Sequence, residues 1–169
     1  PENLISLAAV GNLVKASVAR TGCEHFGLLV GQRGGLQSLG LVGLVLRFSP
    51  DVATALRRLS QYMHLYHGGQ ITALVEDEGA AMLSYDLYVP GIEAVEQIGD
   101  GAMAILFNIM RTLCGPDWLP REVRFAHRKP TAVTPYRRFF RAPLVFEAEQ
   151  DVVVMSSHWL TRRLPEADR

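Results

Sequence analysis

The sequence predicts an α+β fold in which N-terminal helices pack on a mostly antiparallel sheet of about five strands. Apolar residues recur at three- and four-residue steps in the first part of the chain, which is typical of helices. From Ile71 onward they alternate with a period of two, which is typical of strands. The predicted order is helices, hairpin, long helix, strand, short helix and hairpin. Hairpins pair antiparallel and no strand–helix–strand repeat occurs, so one mostly antiparallel domain is expected over residues 1–169.

Three helical segments are predicted before residue 49. Residues 3–18 carry apolar side chains near helical spacing, with Gly11 as a weak point. Residues 23–31 are interpreted as a short helix that ends in glycine. Residues 36–46 are compatible with a helix or a strand, and a helix is favoured because their apolar side chains share one face. This apolar run is too short to cross a bilayer.

The clearest predicted helix leads into the clearest predicted hairpin. Ser49 is a suitable N-cap and Pro50 suits the first helical position. Apolar residues then recur at helical steps until Gly68-Gly69 ends the helix. Two alternating segments, 71–75 and 81–87, surround an Asp-Glu-Gly turn and are predicted to form a β-hairpin.

The second half of the chain is predicted to contain a long amphipathic helix and several short elements. Apolar residues from Ile92 to Leu113 form one helical face, and Gly115-Pro116 terminates it. The remaining predicted elements are a strand at 122–127, a helical turn at 135–140, and a hairpin that pairs 144–148 with 152–155.

The charge balance argues against nucleic-acid binding by this chain alone. It has 17 basic and 17 acidic residues and a formal net charge of zero, whereas a domain that grips DNA alone usually carries a basic face. Its arginines form local clusters that are interpreted as solvated sides of helices and strands. These clusters are Arg57-Arg58, Arg137-Arg138-Arg141 and Arg162-Arg163.

The cysteines and the N-terminus indicate a cytoplasmic protein. Cys23 and Cys114 are too few for a disulfide framework, and reduced, buried thiols are expected. The chain starts with Pro1-Glu2-Asn3 and has no signal peptide, which suggests that it begins inside a longer protein. No association with a membrane is expected.

Two histidines near the end of the clearest helix are weak metal candidates. His64 and His67 lie three residues apart and could share a metal on one helix face. No third ligand is marked, and the glutamate of a metalloprotease helix is missing. Two histidines that suit the helix dipole are the simpler interpretation, so no metal or other cofactor is expected.

Four tyrosines and one histidine are the candidates for ligand binding. Tyr62, Tyr66, Tyr85 and Tyr88 could converge where the clear helix meets the first hairpin, and tyrosine offers an apolar wall with a polar tip. Ordinary packing at that junction is the competing interpretation. His127 at a strand end could contact a ligand or hydrogen-bond a backbone carbonyl. We select Tyr62, Tyr66, Tyr85 and His127 as predicted ligand-binding residues.

Catalysis is not predicted. The acidic residues show no pair that burial would tune for acid–base chemistry, and no nucleophile–base–orienter set is apparent. The glycines between Gly27 and Gly43 lack the strand and the final Lys-Ser/Thr of a phosphate-binding loop.

Several short segments carry a resemblance to a known family. They are Phe26–Gly31, Leu39–Gly43 before Ser49-Pro50, Ala55-Leu56 with Tyr62, His127 with Pro130, Tyr136 before Phe139, Pro143–Phe146, and Leu160 with Leu164-Pro165. Together they resemble the effector domain of AraC-type transcriptional regulators, in the arabinose-binding-like branch exemplified by ornithine-utilisation regulators. The resemblance covers nearly the whole chain. Arg162-Arg163 before Leu164 departs from the usual pattern.

The resemblance implies a sensing domain of a bacterial transcription regulator. It implies a small-molecule effector, a homodimer, and contact with DNA only through a C-terminal helix-turn-helix domain that this sequence lacks. Two other functions stay open from the residues. One is a cofactor sensor that binds haem through His64, His67 or His127, and the other is a small thiol or hydrolytic enzyme that uses Cys23 or Cys114.

Overall fold

The computed structural model describes residues 5–66 and 70–165, without the side chains at 64–73. The N-terminal part of these residues is helical. Its elements are α1 (Leu7–Thr21), α2 (Phe26–Gly31), a first 3-10 helix (Leu36–Leu39), α3 (Leu41–Arg47) and α4 (Val52–Tyr66). Ser6 caps α1 by accepting the backbone N–H of Ala9 at 3.2 Å, and Gly22 ends it with φ of 65°. The two predicted helices before residue 36 and the clearest predicted helix are confirmed, with α1 shifted from 3–18 to 7–21. The predicted helix end at Gly68-Gly69 lies outside the described residues.

The predicted helix at 36–46 is divided in two. Gly40 lies between the first 3-10 helix and α3 with φ of 54° and ψ of −126°, a conformation that glycine adopts without steric cost. Gly43 allows α3 to approach the first 3-10 helix closely, because an added Cβ would lie 2.0 Å from the carbonyl oxygen of Leu36.

Asp51, rather than the predicted Ser49, caps α4. The Asp51 Oδ1 atom accepts the backbone N–H of Thr54 at 2.7 Å, and this hydrogen bond lowers the pKa of the Asp51 carboxyl. Ser49 is fully buried, and its hydroxyl donates to the carbonyl of Val45 at 2.9 Å. The prediction of Ser49 as N-cap was wrong because its side chain points back to the end of α3.

The sheet has five strands in the order β1-β2-β5-β3-β4 among the described residues. The strands are β1 (Gln70–Asp77), β2 (Ala80–Leu87), β3 (Glu122–Arg124), β4 (Leu144–Val145) and β5 (Asp151–Ser156). The hairpin of β1 and β2 is confirmed, and its two turn residues, Glu78 and Gly79, have φ of 42° and 78°. Positive φ at both positions matches the twist of a tight antiparallel hairpin.

The second predicted hairpin is wrong. β4 pairs parallel with β3, whereas β5 lies between β2 and β3 and is antiparallel to both. After β4 the chain continues beside the segment that follows β3, where Ala148 donates its N–H to the carbonyl of Phe125 at 3.0 Å. The four residues 152–155 are all buried, which suits a central strand covered on both faces.

The long helix α5 (Val95–Cys114) packs against α2, β2 and β5, and it starts three residues later than the predicted Ile92. The short helix α6 (Thr134–Phe140) confirms the predicted helical turn at 135–140. Large aromatic side chains from α5, α6 and the segment between these two helices form part of the core. They are Phe107, Trp118, Phe125, Tyr136 and Phe140, all at most 1% exposed. No helix in the described ranges has the length and apolar character needed to cross a membrane.

The C-terminal segment returns to the start of α4. A second 3-10 helix (Ser157–Thr161) follows β5. Val52 then donates its N–H to the carbonyl of Arg162 at 3.1 Å, and Leu164 donates to that of Pro50 at 3.2 Å. These bonds tie the end of the domain to its helical part.

Candidate functional site

A cavity of about 310 Å³ lies between α5, the sheet and the N-terminal helices. Its lining includes Val14 of α1, Gly31 of α2, Leu59 of α4, Tyr85 of β2 and Ile105 of α5. For comparison, an engineered apolar cavity of about 150 Å³ is large enough to bind benzene. The cavity therefore has the size of a small-molecule site.

One wall of the cavity is built by unusually close packing of α2 on α5. A Cβ added at Gly27 would lie 1.9 Å from the carbonyl oxygen of Gln97, and one at Gly31 would lie 2.2 Å from that of Gly101. Only glycine permits two helices to approach at this distance. The relative position of α2 and α5 is therefore fixed by backbone contact.

Gln97 holds the same two helices together through its side-chain amide. Its Oε1 atom accepts the backbone N–H of Gly27 at 2.8 Å, and its Nε2 donates to the carbonyl of Glu24 at 2.8 Å. Both contacts satisfy backbone groups at the N-terminal end of α2, which lacks another side-chain cap. Gln97 also lines the cavity, and both its amide oxygen and its amide nitrogen already make a hydrogen bond to the backbone.

A buried charged network lies on the other side of Gln97. Asp100 of α5 is fully buried, and its Oδ2 accepts the hydroxyl of Tyr136 at 2.5 Å. Its Oδ1 lies 2.9 Å from the Nε2 of His127, whose side chain is 7% exposed. The carboxylate thus has a partner on each oxygen, as a charge inside a protein requires.

The contacts of His127 indicate an imidazolium. Its Nδ1 lies 2.7 Å from the carbonyl oxygen of Arg128, and its Nε2 faces the Asp100 carboxylate. Because both of these oxygens only accept, both ring nitrogens must donate. Burial alone would lower the pKa of His127, but hydrogen bonding to Asp100 and the negative charge of Asp100 raise it to about 9.

Asp151 extends the network towards the cavity. Its Oδ1 accepts the backbone N–H of Ala126 at 2.8 Å, and its Oδ2 would be 2.6 Å from a Cβ at Gly99. Burial raises the pKa of the Asp151 carboxyl, with opposing contributions from the Ala126 hydrogen bond and His127. Asp151 also pairs with Tyr85 in the ladder between β2 and β5. The carboxylate is therefore close enough to act electrostatically on both His127 and Tyr85.

A second depression, of about 350 Å³, opens on the His127 side. Its lining includes His127, Tyr136 and Gln97, together with the charged residues Glu96, Arg128 and Lys129. Gln97 therefore borders both the apolar cavity and this polar depression.

The four residues predicted to bind a ligand do not all lie at one site. Tyr85 lines the apolar cavity, and His127 belongs to the charged network and borders the polar depression. Tyr62 is 37% exposed and Tyr88, from the same predicted group, is 81% exposed. The side chain of Tyr66 lies outside the described residues. The binding role of these residues stays a prediction.

The residues considered for metal, haem or thiol chemistry are also located. The side chain of His64 and all of His67 lie outside the described residues, and within the described ranges no group of three or more histidine, cysteine or acidic residues could hold a metal ion. His127 would have to give up a hydrogen bond to ligate haem iron. Burial raises the pKa of the Cys114 thiol to about 12, which disfavours a reactive thiolate, and Cys23 is partly buried.

Sequence reasoning missed Asp100, Gln97 and Asp151. A signal for Asp100 existed, because Met103, Phe107 and Met110 follow it at helical spacing and are buried. A carboxylate on such a face needs a buried partner. Neither Gln97 nor Asp151 carries a comparable local signal.

Comparison with known proteins adds a family and a fold. The family model described as the arabinose-binding domain of AraC transcription regulators, N-terminal, matches residues 1–164. The helix-turn-helix-type transcriptional regulator VirS of Mycobacterium tuberculosis is 28% identical over 136 residues, which cover 79% of this chain and 40% of VirS. The ornithine utilization regulator of Pseudomonas aeruginosa is 26% identical over 168 residues, which cover 99% of this chain and 50% of the relative.

A solved structure has the same fold. The transcriptional regulator CdpR from Pseudomonas aeruginosa superposes with a TM-score of 0.77 at 18% identity, covering 99% of this chain and 53% of CdpR. The chain spans about half or less of the length of the curated relatives it matches. These relatives are transcription regulators, and the family resemblance inferred from the short segments is confirmed. The chain belongs to the family of N-terminal arabinose-binding domains of AraC transcription regulators.

Proposed function

We propose that this chain is the ligand-sensing and self-associating domain of a cytoplasmic transcription regulator. The observation that carries the proposal is the apolar cavity between α5, the sheet and the N-terminal helices. VirS is described as a helix-turn-helix-type regulator, and we extend that arrangement to the protein from which this chain comes. A ligand in the cavity would then control DNA binding by a helix-turn-helix domain outside this sequence.

Helix α1, which forms one wall of the cavity, is suited to change its position when a ligand binds. Of the 15 residues of α1, all described, only Gly11 is buried, and the exposed ion pair between Lys15 and Glu93 at 2.9 Å adds little stability. Val10 and Val14 nevertheless line the cavity. A ligand that contacts these residues stabilises the docked position of α1, and such differential binding is what shifts a population between two states.

A thermal-shift screen tests the sensing function. In a set of amino acids, sugars, fatty acids and neutral apolar compounds, at least one compound should raise the melting temperature by about 5–10 °C at 100 times its Kd. Ala102→Leu places a larger side chain in the cavity lining and should abolish the shift. Ala16→Leu makes the same change on the exposed side of α1 and should leave it intact. The sensing proposal fails if no compound shifts the melting temperature, or if the shift persists in Ala102→Leu.

An exposed apolar stripe on α3 supports self-association. Leu41, Leu44 and Phe48, the residue at its C-terminal end, are 74%, 51% and 49% exposed and recur at three- and four-residue steps. They therefore lie along one side of α3. Contiguous apolar surface of this kind commonly marks a protein interface. We assign this stripe to the interface of a homodimer.

Sedimentation velocity at micromolar concentration tests this assignment. The unmodified chain should sediment as a dimer and Leu41→Glu as a monomer, because the interface would have to bury an unpaired carboxylate. Tyr88→Glu, at a site that is 81% exposed beyond the end of β2, should remain dimeric. A monomeric unmodified chain, or a Leu41→Glu variant that still dimerises, contradicts the assignment.

A further inference from the structure

We infer that the cavity accepts a neutral, mostly apolar small molecule that presents one hydrogen-bond acceptor to Tyr85, rather than a sugar or a free amino acid. This inference rests on the proposed sensing function and specifies the chemistry of its ligand. It concerns the lining of this chain and departs from the ligands that the names of its family and relatives suggest.

The described lining contains no charged side chain. Most of it is aliphatic and comes from α1, α2, α4 and α5, and three polar side chains interrupt it. Gln97 is occupied at both ends of its amide. The hydroxyl of Ser38 accepts the N–H of Gly35 at 3.2 Å within the first 3-10 helix. The third polar side chain is that of Tyr85.

Tyr85 differs from Gln97 and Ser38, each of which already makes a hydrogen bond to the backbone. The residue is only 5% exposed, lines the cavity, and has no hydrogen bond from its hydroxyl within the part of the chain that the structure describes. The hydroxyl is therefore able to donate to an acceptor on a ligand inside the cavity. Burial, and then the charge of Asp151, raise the pKa of Tyr85, so the hydroxyl stays protonated and donates.

The carboxylate of Asp151 favours a neutral ligand group over an anionic one as the acceptor for the Tyr85 hydroxyl. Asp151 is the direct partner of Tyr85 across the β2–β5 ladder, and its carboxylate is near enough to influence the tyrosine hydroxyl. An anionic ligand group at Tyr85 would lie beside this carboxylate and be repelled. A ketone, ester or ether oxygen meets no such repulsion.

Sugars and amino acids are poor matches for the same lining. Each of their hydroxyl, ammonium or carboxylate groups would lose water and find an aliphatic wall, which is unfavourable for every polar group left unpaired. An apolar molecule gains by leaving water, and the helix positions fixed by Gly27 and Gly31 reduce the cost of forming the site.

Calorimetric titration with five compounds tests the inference. Butyrophenone carries one neutral acceptor on an apolar frame, and butylbenzene lacks the acceptor. 4-Phenylbutyrate carries a carboxylate at the end of its chain instead of the ketone beside the ring. L-Ornithine and L-arabinose complete the set. Butyrophenone should bind most tightly of the five. Tyr85→Phe should weaken butyrophenone about 3- to 10-fold, the value of one neutral hydrogen bond, and leave butylbenzene unchanged. Unchanged butylbenzene binding also shows that the variant is folded.

The same titrations distinguish a failure of the inferred ligand class from a failure of the proposed sensing function. Ala102→Leu should abolish binding of butyrophenone and butylbenzene, and Ala16→Leu should not. Tighter binding of ornithine, arabinose or 4-phenylbutyrate than of butyrophenone overturns the ligand class and leaves the sensing function intact. An equal effect of Tyr85→Phe on butyrophenone and butylbenzene overturns the role of Tyr85. If none of the five compounds binds, the ligand class is overturned, and the sensing function falls only if the wider thermal-shift screen is also negative.

Discussion

Replacing Asp100 with alanine is expected to lower the free energy of unfolding by about 3–5 kcal/mol, the usual cost of breaking a buried ion pair from one side. The substitution removes the acceptor for the Tyr136 hydroxyl and the counter-charge of His127. All three side chains are at most 7% exposed. Urea unfolding at pH 6.5, followed by circular dichroism, measures the loss. Asp100→Asn should cost less, because the amide oxygen can still accept from Tyr136.

The pH dependence of stability identifies the charged pair as the cause. The pKa of His127 rises from 6.5 to about 9 on folding, so the folded chain holds this proton more tightly than the unfolded chain. The stabilisation is complete below pH 6.5 and is lost as the pH rises through 9, a change of about 3 kcal/mol at 1.36 kcal/mol per pKa unit. In Asp100→Ala this decline should largely disappear. A parallel decline in the variant, or a loss below 1 kcal/mol at pH 6.5, would show that the pair does not hold this part of the fold.

The sequence predicted the elements whose signals are local. The helical spacing of 52–66 and the alternation around Glu78-Gly79 each lie within one element or one tight turn, and both predictions are confirmed. The pairing of β4 and β5 was wrong because adjacency in sequence does not determine which strands are neighbours. Burial of both faces of β5 places it in the centre of the sheet, and only the assembled sheet reveals that burial.

In the candidate site, too, the features that depend on distant parts of the chain could not be predicted from the sequence. Tyr85 was selected as one of the tyrosines at the junction of helix and hairpin, and His127 as a histidine at a strand end, whereas their partners could not be assigned. Asp100 is 27 residues from His127 and 36 from Tyr136 in sequence, and three separate elements bring the side chains together. The close backbone contact between α2 and α5, which we call the α2–α5 seam, was also missed. In the sequence, Gly27 and Gly31 indicate only that another segment approaches closely, and they do not say which one.

Replacing Gly27 with alanine is expected to destabilise the domain by about 3 kcal/mol, at the upper end of the range for overpacking. The new Cβ would lie 1.9 Å from the carbonyl oxygen of Gln97 and 2.6 Å from its carbonyl carbon. These are backbone atoms inside α5, so no side chain can rotate away and the two helices must separate. Separation would also break the 2.8 Å hydrogen bond from the Gly27 N–H to the Gln97 side chain. Chemical denaturation measures the loss.

Gly101→Ala is the matched control, because it adds the same methyl group to the other side of the seam. Its Cβ would lie 3.3 Å from the carbonyl oxygen of Gly27, a contact that a shift of a few tenths of an ångström can relieve. Alanine also favours a helix over glycine by about 1 kcal/mol, so this variant should be close to the unmodified chain in stability. Because the contact between α2 and α5 forms one wall of the cavity, Gly27→Ala should also weaken butyrophenone binding. Equal stability of the two variants would mean that α2 can move away from α5 at little cost, and the cavity wall would then not be fixed by backbone contact.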